Sequence, residues 1–163
     1  MDDARLTRLE QRVRRLEDEL EVTRLIASYG PFVDTGAADA VAALWTEDAE
    51  YDVAGWHMRS RADVHAMVRS DAHQSLIATG CSHFLGPAHV VIDGDNAVAV
   101  CESLLIRHQD GVFRVRRAGA NRFELARTPH GWRIVRRTTR ALDGDPEAHR
   151  LLRATIPADV SPD

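Results

Sequence analysis

Three side chains able to move protons fall in otherwise apolar stretches of this chain: Tyr29, Asp34 and His83. The first two stand five positions apart in Tyr29-Gly30-Pro31-Phe32-Val33-Asp34, and the third lies in Cys81-Ser82-His83-Phe84-Leu85-Gly86. An imidazole titrating near neutrality suits proton abstraction and return. A carboxylate can orient it, and a phenol can polarise an oxygen nearby. Each residue taken alone has a plainer explanation. Tyr29 reads as core filler, Asp34 as a turn residue ahead of Gly36, and His83 as a satisfied strand histidine. Of the eight histidines, His57, His65, His73, His108, His130 and His149 fall in turns or on polar helix faces. Only His83 and His89 occupy apolar, strand-like context.

The elements that must position these groups follow from periodicity. Residues 4–28 read as a helix, with Leu6, Leu9, Val13, Leu16 and Leu20 at 3-4-3-4 spacing, a seam such as pairs two helices. Two heptads are too few for an autonomous coiled coil, so the seam packs on the domain or on a neighbouring subunit. From Val22 the apolar positions shift to Leu25, Ile26 and Tyr29, a core-facing register. Gly30-Pro31 then kinks or restarts the helix. A second helix is expected over Asp39–Trp45, a strand over Glu50–Val53, and a turn over Ala54–His57. A third helix begins at Ser60, its N-cap, with Asp63 three positions on, and runs out between His73 and Gly80.

The rest is strand-like. His89–Ile92 ends in Asp93-Gly94-Asp95-Asn96, a hairpin signal, followed by Ala97–Arg107, by Val112–Ala126 with a bulge or bend expected at Gly119, and by Trp132–Ala141. Helices followed by a long antiparallel meander make an α+β domain. Strands this long must curl. The expected fold is a curved antiparallel sheet forming a cone, closed by about three N-terminal helices.

Composition bounds the rest. The 163 residues, 44% hydrophobic and 28% charged, describe an ordinary globular domain. No apolar run approaches the ~20 residues of a membrane span. The charged N-terminus is no signal peptide, and the chain is expected to be cytoplasmic. Cys81 and Cys101 suggest neither a disulfide framework nor a metal cluster. All 21 basic side chains are arginine. Residues 105–140 hold ten arginines against Asp110 and Glu124, whereas residues 1–71 hold nine against fifteen acids. Without aromatic stacking positions on those strands, and with a net charge of −4, nucleic-acid binding is not expected. Basic strands meeting acidic helices, within or between subunits, is the better use.

The order of helix, Tyr-x4-Asp, short helix, strand, helix and His before a meander with Gly131-Trp132-Arg133-Ile134 in its last hairpin resembles the SnoaL-like branch of the nuclear transport factor two superfold, over residues 4–142. In motif it is nearest to bile-acid 7α-dehydratases and scytalone dehydratases, with hexachlorocyclohexane dehydrochlorinases more distant. The resemblance implies a single domain over residues 1–145 with a helical extension over 1–20, then a short helical and irregular tail over 146–163. It implies that Tyr29, Asp34 and His83 are the catalytic set of a lyase acting by dehydratase-type β-elimination, or of an isomerase. The substrate would be a small, hydrophobic, oxygenated molecule held in the cone. His83 would be the base, Asp34 its orienting partner, and Tyr29 the donor to a carbonyl or leaving hydroxide.

Trp56, Phe84 and Arg137 would bind substrate. Arg140 is the alternative to Arg137, since the two face opposite sides of a regular strand. An assisting asparagine or second histidine, as in some dehydratases, is not placed by the sequence. No metal or other cofactor is implied. A homo-oligomer is expected, a trimer ahead of a dimer. The competing class is a non-catalytic scaffold or binding subunit, like the small subunit of a ring-hydroxylating dioxygenase; a scaffold does not require an Asp–His pair in a cavity.

Overall fold

The computed structural model describes residues 2–53 and 55–155. Ala54 of the expected turn, and Pro157 and Pro162 of the expected loose tail, lie outside them. The chain begins with α1 (Asp2–Asp34) and α2 (Ala38–Ala42), then β1 (Trp45–Val53) and β2 (Trp56–Met58). Two helices follow, α3 (Arg61–Arg69) and α4 (Asp71–Thr79). Five more strands, β3 (Cys81–Leu85), β4 (His89–Asp93), β5 (Asn96–Gln109), β6 (Val112–Thr128) and β7 (Gly131–Ala141), lead to α5 (Pro146–Arg153). Among the described residues no helix is long and apolar enough to cross a membrane.

The strands make one curved, unclosed sheet in the order β2-β1-β7-β6-β5-β3, with β4 also paired to β5. The α+β class expected from the pattern is observed, with one correction: β1 runs parallel to β7, so the sheet is not wholly antiparallel. β5 carries two short partners end to end, β4 along Asn96–Val100 and β3 along Ser103–Arg107. That arrangement leaves β3 at the edge of the sheet, where its outer backbone groups need other partners.

Local chemistry moves several boundaries. α1 does not restart at Gly30-Pro31 but runs through it to Asp34. The Pro31 carbonyl accepts from the Thr35 N–H at 3.2 Å and from Thr35 Oγ1 at 2.8 Å, closing the last turn. Gly36, at φ 69°, then turns the chain away in the left-handed conformation that glycine adopts without strain. Trp45 does not end α2: it opens β1 opposite Ile134, where the Leu44 carbonyl accepts from the Ile134 N–H at 2.8 Å. Trp56 and His57 are not in a turn but in β2, paired with β1.

The third helix is two, broken at Ser70, whose extended ψ of 148° ends α3 and whose Oγ caps α4 by accepting from the His73 N–H. Ser60 caps α3 through the Asp63 N–H at 3.1 Å. No bulge forms at Gly119; the register shifts instead at Leu105/Ile106 and at Glu124/Leu125. Gly119 serves close packing, because a Cβ there would meet Ser103 Oγ at 3.1 Å.

The core fills the concave side of the sheet. Val22, Ile26, Tyr29 and Val33 of α1, Val41 of α2, and Val64 and Val68 of α3 pack onto Trp45, Phe123, Trp132 and Ile134. Trp132 is fully buried, and its indole N–H donates to Asp18 of α1 at 3.2 Å. Arg127 reaches the same carboxylate at 2.7 Å and lies 4.6 Å from the Trp132 ring centre. α1 is thereby bolted to the last hairpin midway along its length.

Candidate functional site

The last turns of α1 and the edge strand β3 meet at Gly30. A Cβ at that position would land on the His83 carbonyl oxygen, so only glycine lets the strand lie this close. Two effects oppose each other in Gly30→Ala. Better helix propensity favours alanine by about 1 kcal/mol. Forcing the strand away costs about 1–3 kcal/mol. The expected outcome is a net loss of stability in urea denaturation with an unchanged m-value; a stabilised variant would rule out the close approach.

This contact brings Asp34, at the end of α1, against His83 in the middle of β3. One carboxylate oxygen accepts the outward-facing His83 backbone N–H at 2.7 Å, and the other meets His83 Nδ1 at 2.5 Å. Both side chains are mostly buried. The carboxylate thus satisfies an edge-strand donor and holds the ring with one group. Burial acts to raise the Asp34 pKa, but hydrogen bonds from the His83 side chain and backbone outweigh it, and the pKa lies below its ordinary value. An ionised Asp34 assigns the imidazole proton to Nδ1, leaving Nε2 as the free acceptor.

His83 faces a cavity of about 120 Å³ lined also by Tyr29, Tyr51, Val53, Trp56, Met58, Met67 and His73. Larger depressions of about 760 and 530 Å³ lie elsewhere on the surface and contain none of these residues. Tyr29 is buried; desolvation first, and then Tyr51, push its pKa above the ordinary phenol value, with Arg137 opposing. Its hydroxyl therefore keeps its proton at neutral pH and can donate.

Arg137 lies beneath the phenols. Its guanidinium sits 4.4 Å from the Tyr29 ring centre, 4.7 Å from that of Tyr51 and 4.9 Å from that of Phe123. Nε and Nη2 donate to Asn121 Oδ1 at 3.2 and 2.8 Å, while Nη1 is buried without a partner. Among the described residues no carboxylate pairs with it. Arg140, the alternative, points the other way, to Asp52 at 2.6 Å and Glu147 at 2.9 Å.

Trp56 stands half exposed at the mouth of the cavity. Phe84 does not join it. One position along β3 from His83, it projects from the opposite face into a shallow groove with Ile26, Ala27 and Pro87.

Three contributors escaped the sequence reading. His73 is not on a solvated helix face but buried, donating Nε2–H to the Val33 carbonyl at 2.9 Å, with its ring centre 5.6 Å from that of His83. Its spacing to Leu76 and Ile77 was the available signal. Tyr51 and Asn121 are likewise buried. Asn121 shares an inward strand face with Phe123 and Leu125, which marks it as a core polar residue.

Asp34, Cys81 and His83 offer three donor atoms within 4.8 Å of one another, the spacing of a potential metal site. The Cys81 thiol, however, is pushed up to about 11 by burial and the Asp34 charge, and its sulfur donates to Asp34 at 3.5 Å. As placed, it is a further hydrogen-bond donor to the carboxylate that holds His83.

The chain matches the SnoaL-like domain over residues 14–138. It is 48% identical to a nuclear transport factor two-like protein with a cystatin-like fold from Novosphingobium aromaticivorans, covering 93% of this chain and 98% of that one at a TM-score of 0.89. A protein of unknown function from Mycobacterium tuberculosis is 25% identical, over 78% of this chain and 79% of its own, at a TM-score of 0.69. A candidate aromatic ring hydroxylase from N. aromaticivorans is 27% identical, over 78% of this chain and 90% of its own, at a TM-score of 0.65. No curated protein matches the chain. With a match over most of its length, the chain belongs to the SnoaL-like domain family.

Proposed function

We propose that the protein is a cofactor-independent lyase of the dehydratase type, or an isomerase, acting on a small oxygenated hydrophobic molecule. The observation that carries this is the Asp34–His83 contact through Nδ1, which leaves Nε2 unpaired at a cavity that Tyr29 also lines. In the reaction, His83 Nε2 takes the proton from a carbon next to a carbonyl, and the C–H electron pair passes into the carbonyl as an enolate. Asp34 stabilises the imidazolium. The Tyr29 hydroxyl donates to the oxygen where charge develops.

Arg137 acts from behind, its positive charge making the two phenols better donors. In elimination the enolate electrons return, expelling the β-hydroxyl, which takes the proton from the His83 imidazolium and leaves as water. In isomerisation His83 returns its proton to a different carbon.

The cavity, at about 120 Å³, has room for about four waters at ~30 Å³ each. A ring system as large as a steroid or polyketide therefore needs Trp56 and the rest of β2 to swing outward.

A second reading is a non-catalytic subunit, because the beta subunit of a candidate aromatic-ring-hydroxylating dioxygenase shares this fold. Proton exchange separates the two. In D2O, followed by NMR, the wild-type protein is expected to wash deuterium into the α-carbon of at least one member of a panel of steroid, polyketide and aromatic β-hydroxy ketones. Tyr29→Phe should slow that exchange at unchanged stability. A wild-type protein that binds panel members, seen as a raised Tm, yet exchanges none would sink the catalytic reading in favour of the binding subunit.

A further inference from the structure

We propose that the first five turns of α1 form a parallel, two-stranded coiled coil with the same segment of a second copy of this chain. Leu6, Leu9, Val13, Leu16 and Leu20 are 46–63% exposed, whereas Val22, Leu25, Ile26 and Tyr29 of the same helix are buried. The seam therefore does not pack on its own domain. The opposite face explains why. Asp18, half a turn round the helix from the seam, is fixed by Arg127 and the Trp132 indole, and Glu21 accepts the Trp132 N–H at 3.0 Å. These bonds hold the segment rigidly by its back and present the leucines outward, away from the domain.

The flanking charges say what covers them. With Leu6, Val13 and Leu20 at the a positions and Leu9 and Leu16 at d, the g positions are Arg5, Arg12 and Glu19, and the e positions are Glu10, Glu17 and Arg24. In a parallel pair each g residue meets the e residue five positions on in the partner. Arg5 then meets Glu10, Arg12 meets Glu17, and Glu19 meets Arg24; all three are opposite in sign. Glu19 would exchange its present partner, Arg15 at 3.1 Å in the same helix, for this one. An antiparallel pair, in which e meets e and g meets g, sets Glu10 against Glu17 but Arg12 against Glu19, so attraction and repulsion cancel. Of the a layers Leu6, Val13 and Leu20, the central valine, with leucine at both d layers, is the one that favours two strands. Where the family resemblance pointed to three subunits, this seam selects two. Because each domain sits behind its helix, a two-fold axis along the coil keeps the domains apart.

The test is a disulfide between identical positions, read on a non-reducing gel and by sedimentation. The wild-type chain, with Cys101 buried, gives the background, and Gln11→Cys, on the helix back, is the negative control. Leu9→Cys is expected to cross-link into dimers under mild oxidation. Adding Glu10→Arg and Glu17→Arg to that chain should abolish most of the cross-link. Adding Arg5→Glu and Arg12→Glu instead should do the same. Mixing the two charge-reversed chains should restore it, because every e–g pair is again opposite in sign. No cross-link above background, a cross-link indifferent to charge reversal, or a mixture that stays monomeric would each overturn the proposal. All of these positions are exposed, so circular dichroism should be unchanged.

Discussion

His83→Gln is expected to remove nearly all elimination or isomerisation turnover while leaving the protein folded. Glutamine keeps much of the shape of histidine, and its amide can still donate to Asp34. It has no nitrogen that accepts a proton at neutral pH. A general base accounts for a rate factor of about 10²–10⁴, so the loss should fall in kcat and not in KM. His83→Ala should be as severe, and folded, because the ring lines an existing cavity. Asp34→Asn should be comparably damaging through tautomer choice. An amide oxygen can still accept from one N–H, but the anion that stabilises the imidazolium is gone, and the corresponding change in a serine protease costs about 10⁴-fold.

The pH dependence follows from the lowered Asp34 pKa. A carboxyl group whose folded pKa lies below its unfolded value stabilises the fold fully above the unfolded value, about 3.9. That contribution, and the dyad with it, is lost as pH falls through the lower folded value. Asp34→Asn should therefore flatten the acid side of the stability profile. A folded His83→Gln protein turning over at the wild-type rate would show that this histidine is structural.

Trp132→Ala should be the most damaging single change to stability, at about 3–5 kcal/mol. That is up to half or more of the ~5–15 kcal/mol available to a typical domain. The indole is fully buried between α1 and β7. It also stacks with Arg127 and donates to Asp18, whose own pKa is lowered chiefly by the hydrogen bond from Arg127. Truncation leaves a cavity and strips one donor from a buried carboxylate. Trp132→Phe separates the two effects. It keeps most of the packing and loses the N–H, so about 1–3 kcal/mol should remain, the penalty for an under-satisfied buried acceptor. Urea unfolding of both variants measures the difference. If Trp132→Phe matched Trp132→Ala, the hydrogen bond would dominate; if it matched wild type, Asp18 would be satisfied by Arg127 alone.

Periodicity carried the α+β class and the meander, because 3.6- and 2-residue repeats are written into any chain that buries one face of its elements. It also set the identities of Tyr29, Asp34 and His83 apart, each being a polar group in an apolar run. What pattern could not carry was any decision made across the chain. Pro31 allowed either a kink or a restart; the helix continues to Asp34, since Gly30 admits β3 against it and Thr35 closes the turn. Phe84 looked like a pocket wall beside His83, yet adjacent strand residues face opposite ways. His73 looked solvated until α4 folded it against Val33 and His83. Arg137 was expected to bind, with Arg140 its alternative, and only the folded strand sets Arg137 beneath two tyrosines and Arg140 out to Asp52. The leucine seam was plain from spacing alone; that it faces away from its own domain was decided by Asp18 and Trp132, partners separated by more than a hundred residues. Side-chain type and local period belong to the sequence, whereas which face meets which is settled only when distant backbone segments compete for the same partners.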